Sequence, residues 1–382
     1  MNQQAKLRDA FLCLLRQGLW NRKEDPEAYF PLTNEEWYGI YAWARKHAIQ
    51  GLVYDGMLLL PVAFYPPKSL IIQWMTSVDQ WERITKAQVQ MLCGLQTLFN
   101  QEPSIRFELI KGLAIGCYYP QPFHRFSGDL DLYFGSAEKV EEANRRLESV
   151  GVGILRGVLH DSCYRINQIE VENHPVLIEL HNPFILKKLR RWEQEVFGTA
   201  KLEECPVYGG QAIGVPVPVA HHILVSTHIL KHLLDEGVGL RQLCDAAVLL
   251  KALHASTDAE ELEKRCRQFG VLRWSKVLYA LLVKYLGLPE EYLPFPATLN
   301  PDALMDEIWL SGNFGFTDER KKERPEGKWQ NKWYTVRQIT RKARLVFRYA
   351  PAETFWWPAT LSAVRIKELF TTYESTHSKN NS

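Results

Sequence analysis

The chain has 382 residues, 46% of them hydrophobic and 24% charged: long enough for two or three cores and ordinary in composition for a globular protein. Its 46 Lys and Arg stand against 44 Asp and Glu, and the formal net charge of +2 excludes a surface that is a polyanion-binding face as a whole, while leaving room for a local basic groove. Cys13, Cys93, Cys117, Cys163, Cys205, Cys244 and Cys266 form no CxxC pair, which points to reduced thiols instead of a disulfide frame. With no signal-peptide pattern and no apolar run of bilayer length, the expectation is a cytoplasmic protein that does not engage a membrane.

Residues 1–103 repeat apolar positions at helical spacing, with helices expected over 34–60 and 68–100 around the turn at Pro66 and Pro67. Between 104 and 214 the pattern changes. A strand at 104–110 ends at Lys111-Gly112, a short helix follows at 113–119, and the strictly alternating 129–134 reads as a second strand. A helix is expected over 137–150, then strands at 163–171 and 175–181 joined by a polar turn near Glu172-Asn173. From 215 to 382 helices return, at 219–234, 241–253, 259–269 and 274–286, with an exposed loop at 312–333 and a polar, frayed last dozen residues. The expected fold class is α+β: a small mixed sheet at 104–214 between a helical N-terminal lobe (1–103) and a helical C-terminal domain (215–382).

Asp129 and Asp131 stand two apart on one strand, so both leave the same face while Leu130 and Leu132 point into the core. Like charges this close repel, and a cation between them relieves the repulsion. On that argument Asp131→Asn leaves a metal-free fold intact or slightly more stable. Glu179, on a neighbouring strand, would complete three carboxylates, the set that two-metal phosphoryl transfer uses. The bland alternative is the solvated face of a half-buried strand. Against it stand Gly112 and Gly128, which let backbone N–H groups approach a phosphate.

Three stretches then carry a resemblance: Phe107-Glu-Leu-Ile-Lys-Gly112, Arg125-Phe-Ser-Gly-Asp-Leu-Asp-Leu-Tyr-Phe134 and Ile178-Glu-Leu-His181. Together they resemble the DNA polymerase β-type nucleotidyltransferase superfamily, and within it a bacterial group of largely uncharacterised nucleotidyltransferases. The later His228, His232, Arg241 and Asp245 match that group's helical signature. The resemblance implies a nucleotidyltransferase core for the sheet and an enzyme that moves a nucleoside monophosphate from a nucleoside triphosphate such as ATP, releasing pyrophosphate. It implies two Mg²⁺ ions, or Mn²⁺, on Asp129, Asp131 and Glu179, with Glu179 also activating the attacking hydroxyl. Gly112 would open the phosphate-cradling helix, although Leu113 stands where the commonest pattern has Gly or Ser, so Lys111 or Ser127 would supply that contact.

Of the remaining candidates, Lys111 is either a phosphate ligand or a solvated strand-end lysine, and Arg125 either grips phosphate or pairs with Asp131. His228 and His232 lie at i and i+4, in one stripe with His221; they either meet the nucleotide, hold zinc or pack in the core. Arg241 and Asp245 either line the nucleotide side of the cleft or pair with each other. The acceptor is expected to be a small molecule or a protein before a long nucleic acid, on the near-neutral charge. Two rivals stay open: a toxin–antitoxin type nucleotidyltransferase acting on tRNA or a partner toxin, and a nucleotide-binding scaffold without turnover.

Overall fold

A computed structural model describes residues 3–157, 161–199, 202–205, 211–318, 320, 325 and 327–362; the expectations for helix beyond 362, for the polar C-terminal dozen and for positions 319, 321–324 and 326 of the exposed loop lie outside the described residues. Four helices come first: α1 (Gln3–Trp20), α2 (Asn34–Lys46), α3 (Gln50–Leu58) and α4 (Lys68–Phe99). The single helix expected over 34–60 is two, because Ala48 takes a left-handed φ of 55° and breaks it. Thr33 opens α2 with a capping box to Glu36. Helices α1 and α3 cross so closely that a Cβ on Gly18 would lie 1.8 Å from Leu52 O, and one on Gly56 1.8 Å from Leu14 O.

The middle of the chain builds a five-stranded mixed sheet: β1 (Glu108–Ile110), α5 (Gly112–Gly116), β2 (Leu130–Tyr133), α6 (Ala137–Ser149), β3 (Leu155–Arg156), β4 (Ser162–Ile166) and β5 (Ile169–His174), in the order β1-β2-β5-β4-β3. Strands β2 and β5 run parallel, with Asp131 opposite Glu172, and the other pairs are antiparallel. Leu130, Leu132 and Val171 pack with Leu92, Leu95 and Phe99 of α4 and Val140, Ala143 and Leu147 of α6. The alternation of β2 therefore turns Asp131 to the opposite face.

The expected strand pair after α6 needs correction. Its hairpin turn is Asn167-Gln168, both at positive φ (50° and 67°), the backbone of a two-residue type I′ turn. Glu172 and Asn173 are strand residues, and 175–181 lies outside any strand, with bends at Pro175 and Leu177. Glu179 thus sits past the end of β5 and not on a strand beside β2.

Helix α7 (Pro183–Val196) and the hairpin β6 (Leu202–Cys205)–β7 (Gln211–Gly214) lead into α8 (Pro218–Asp235), α9 (Leu240–Leu253), α10 (Ala259–Gln268), α11 (Leu272–Leu286), α12 (Asp302–Ser311) and α13 (Lys328–Phe347). The loop expected at 312–333 is therefore helical from Lys328 on, and a last helical stretch occupies 351–362. One apolar core joins distant parts of the chain: Phe11, Leu14 and Leu15 of α1 share it with Leu278 and Leu282 of α11, and Trp20 Nε1 donates to Leu286 O (2.6 Å). No helix among the described residues is long and apolar enough to cross a membrane. The thiols of Cys13, Cys93, Cys117, Cys163, Cys244 and Cys266 are free.

Candidate functional site

The sheet face opposite α6 looks toward α8 and α9 across a cavity of about 890 Å³. All twelve residues singled out above line it: Asp129, Asp131, Glu179, Lys111, Gly112, Arg125, Ser127, Gly128, His228, His232, Arg241 and Asp245. His221 does not. It is fully buried, both ring nitrogens lack a partner, and burial lowers its pKa to about 4.

Strand geometry builds the centre of the site. Because β2 and β5 are parallel and in register, Asp131 and Glu172 project from neighbouring strands on one face, and His174 follows two residues on. One donor atom from each of Asp131, Glu172 and His174 lies within 4.8 Å of the others. Lys111 Nζ donates to Asp131 Oδ1 (2.8 Å), and His174 Nε2 contacts the same oxygen at 2.8 Å. A carboxylate only accepts, so Nε2 carries the hydrogen. Lys111 reaches Asp131 from the turn into α5, at φ 56°. The next residue is tightly held: a Cβ on Gly112 would meet Ser127 Oγ at 2.7 Å.

Asp129 and Glu172 are less well compensated, although Glu172 Oε2 lies 3.4 Å from His174 Nε2. The charge on Asp131 first, and burial second, raise the pKa of Asp129. Burial first, and Asp131 second, raise that of Glu172. Burial works to raise Asp131 as well, but Lys111 and His174 hold it below the usual carboxylate range. The face gathers three carboxylates, Asp129, Asp131 and Glu172, around one lysine, and an added cation is what it would take up.

Glu179 lies apart from that group, half-exposed and paired with Lys231 of α8. His181 Nδ1 meets Thr360 Oγ1 at 2.7 Å. The Glu353 carboxylate accepts from His181 N (2.5 Å) and Asn182 N (3.2 Å), so the helical stretch at 351–362 fixes the segment that carries Glu179.

Arg125 pairs with Asp245 and not with Asp131. Its guanidinium meets Asp245 through Nη2–Oδ2 at 2.5 Å and Nε–Oδ1 at 3.0 Å, and Tyr119 OH donates to the same carboxylate at 2.6 Å. Asp245 is thereby occupied, and the alternative pairing with Arg241 does not form. Arg241 donates to Phe126 O (3.2 Å) and lies between the rings of Phe126 (5.3 Å) and Phe314 (5.7 Å). Burial first, and Arg125 second, lower its pKa to about 10. The His228 and His232 rings stack edge to face at 4.3 Å. Burial and the nearby lysines keep both neutral, with His232 lowered to about 4. Among the described residues, neither belongs to a group of three or more side chains able to hold an ion.

Sequence reasoning missed Glu172 and His174, since their polar run Glu172-Asn-His174 reads as a turn. The signal that could have found them is the i, i+2 alternation Glu170, Glu172, His174 against Val171.

A family model described as "Uncharacterised nucleotidyltransferase" matches residues 33–287. No match is found among the curated proteins or the solved structures.

Proposed function

We propose, since this chain belongs to the uncharacterised nucleotidyltransferase family, that the cleft transfers a nucleoside monophosphate from a nucleoside triphosphate to an acceptor hydroxyl. The observation that carries this reading is the close group of Asp131, Glu172 and His174 on neighbouring parallel strands, beside the cationic Lys111 and in one cavity with Arg241. An ammonium already rests on Asp131, so the site accepts a cation, and its carboxylate oxygens suit a divalent ion of the Mg²⁺ or Mn²⁺ kind. Asp131, Glu172 and His174, with Asp129 beside them, would hold that ion, which when bound polarises the phosphate under attack. Glu172 thereby takes the ion-holding role that the family resemblance gave to Glu179.

The chain's own groups do the rest. Lys111 neutralises phosphate oxygens as a point charge. Arg241, clamped by Phe126 and Phe314, offers its free guanidinium edge to the triphosphate or base. Neutral His228 and His232 donate or accept hydrogen bonds without adding charge. Glu179, outside the ion-holding group, takes the proton of the acceptor hydroxyl. The acceptor oxygen bonds to the α-phosphorus as the bond from that phosphorus to the bridging oxygen breaks, and pyrophosphate leaves.

The test is incubation of the protein with each of the four α-labelled ribonucleoside triphosphates, Mg²⁺ or Mn²⁺ and a cell extract. Label in an acceptor, lost in Glu172→Gln, is the expected result. Absence of label and of released pyrophosphate under every condition would overturn the reading.

A further inference from the structure

Helix α13 concentrates positive charge. Between Lys328 and Arg348 stand seven Lys and Arg and no Asp or Glu, more charge than the net +2 of the whole chain, so the remainder is acidic on balance. Two of these cations are occupied: Arg341 pairs with Glu307 (2.8 Å), and Lys342 Nζ donates to Leu234 O (3.3 Å). Lys332, Arg337, Arg344 and Arg348 are exposed. With them stand Trp329 (74% exposed) and Trp333 (72%), and Lys332 Nζ lies 4.9 Å from the Trp329 ring centre. The opposite side of α13 packs on the body, with Ile339, Leu345 and Val346 against the core.

We propose that this outward face of α13 binds single-stranded nucleic acid. Tryptophan rings left in solvent give unstacked bases a surface, and the cations among them meet the phosphates between those bases. From Lys332 to Arg344 the face runs about 18 Å at the rise of an α-helix, long enough for several nucleotides. An anionic membrane is the poorer partner. A helix lying in a membrane interface keeps an unbroken apolar face, whereas the outward line Trp329, Trp333, Val336, Thr340, Arg344, Phe347 is interrupted by Thr340 and Arg344. The proposal goes beyond the transfer reaction and stands on α13 alone. The small net charge of the chain does not argue against it, because the charge is segregated.

The full chain is titrated into fluorescein-labelled 12-mer oligouridylate and oligoadenylate, read by anisotropy at several salt concentrations. With four exposed cations engaged, log K should fall with log salt at a slope of about −3. Trp333→Ala should weaken binding about tenfold, since stacking on an aromatic ring carries that much, and Arg337→Glu with Arg344→Glu should abolish it. All three residues are exposed, so the variants keep the fold. A 12-base-pair duplex should bind more weakly than the single strand. The proposal is overturned by no binding, by binding that Trp333→Ala leaves unchanged, by equal affinity for the duplex, or by protein that floats with phosphatidylserine vesicles and ignores the oligonucleotides.

Discussion

Arg125 and Asp245 lie 120 residues apart in sequence and meet by two hydrogen bonds, both buried, at the seam between the sheet and α9. Removing one partner leaves the other charge buried and alone, at a typical cost of about 3–5 kcal/mol. Asp245→Asn and Arg125→Met should each lose stability on that scale in urea titrations, and the double variant should lose less than the sum of the two. Additive losses would mean that the pair does not act as one unit.

The two aspartates of the motif should respond in opposite directions when no metal is bound. Repulsion from Asp131 raises the pKa of Asp129, so Asp129→Asn removes an unfavourable charge and should raise the melting temperature in EDTA. Asp131 is the partner of Lys111 and His174, and Asp131→Asn should lower the melting temperature, at a cost of about 3 kcal/mol of stability for a buried pair broken on one side. The sequence argument from repulsion alone has the wrong sign for Asp131, because it did not include Lys111. Melting curves of the two variants side by side decide the matter.

Metal addition separates Glu172 from Glu179. At about a hundredfold above its dissociation constant, Mn²⁺ should stabilise the wild-type chain by about 2.7 kcal/mol. Glu172→Gln should remove most of that gain and Glu179→Gln little of it, as read by thermal shift against metal concentration. Lys111→Met, which takes away the resident cation, should tighten Mn²⁺ binding while weakening nucleotide binding. The reverse ranking of the two glutamates would return the ion to the segment after β5.

Acidification should destabilise the protein well above the carboxylate range. His47, His221 and His222 are buried, and burial lowers their pKa to about 3, 4 and 3. A histidine depressed in this way stays neutral in the fold and takes up a proton on unfolding, so the loss begins as pH falls below about 6.5 and continues down to the folded values. Each contributes up to about 1.4 kcal/mol per pH unit in that window. His124 runs the other way. It bridges Asp55 (2.7 Å) and Glu82 (2.9 Å), and although burial opposes it, those carboxylates raise its pKa, so its contribution is full below about 6.5 and fades as pH rises. His47→Leu should flatten the slope between pH 6 and 5 in denaturant titrations, and His124→Gln should remove the loss of stability that sets in as pH rises above about 6.5.

These contrasts show what the sequence could and could not disclose. Strand β2 was legible because Leu130 and Leu132 alternate with Asp129 and Asp131, and α6 because Val140, Ala143 and Leu147 share one face. The hairpin was not. Asn167-Gln168 lacks the glycine that marks most two-residue turns, and the polar run Glu172-Asn-His174 imitates one. Asn173 is buried in the sheet because its side-chain amide donates to Asn144 Oδ1 (3.1 Å), a partner on α6 that no local pattern reveals. The pairing of Arg125 with Asp245 was equally hidden, since i, i+4 spacing offered Asp245 a nearer cation in Arg241.

The core shared by α1 and α11 sets the order in which the protein can be completed. Helix α1 is made shortly before α3 and can meet it early, through the crossing at Gly18 and Gly56. Trp20, however, closes on Leu286, 266 residues later. At a synthesis rate of about 5–20 residues per second, the remaining face of α1 waits roughly 13–50 s for its cover. Glu353, which holds His181 and Asn182, arrives later still. Until then the nascent chain carries an apolar helix and an unfastened cleft wall, and a chain cut back to residues 33–287 would never acquire either closure.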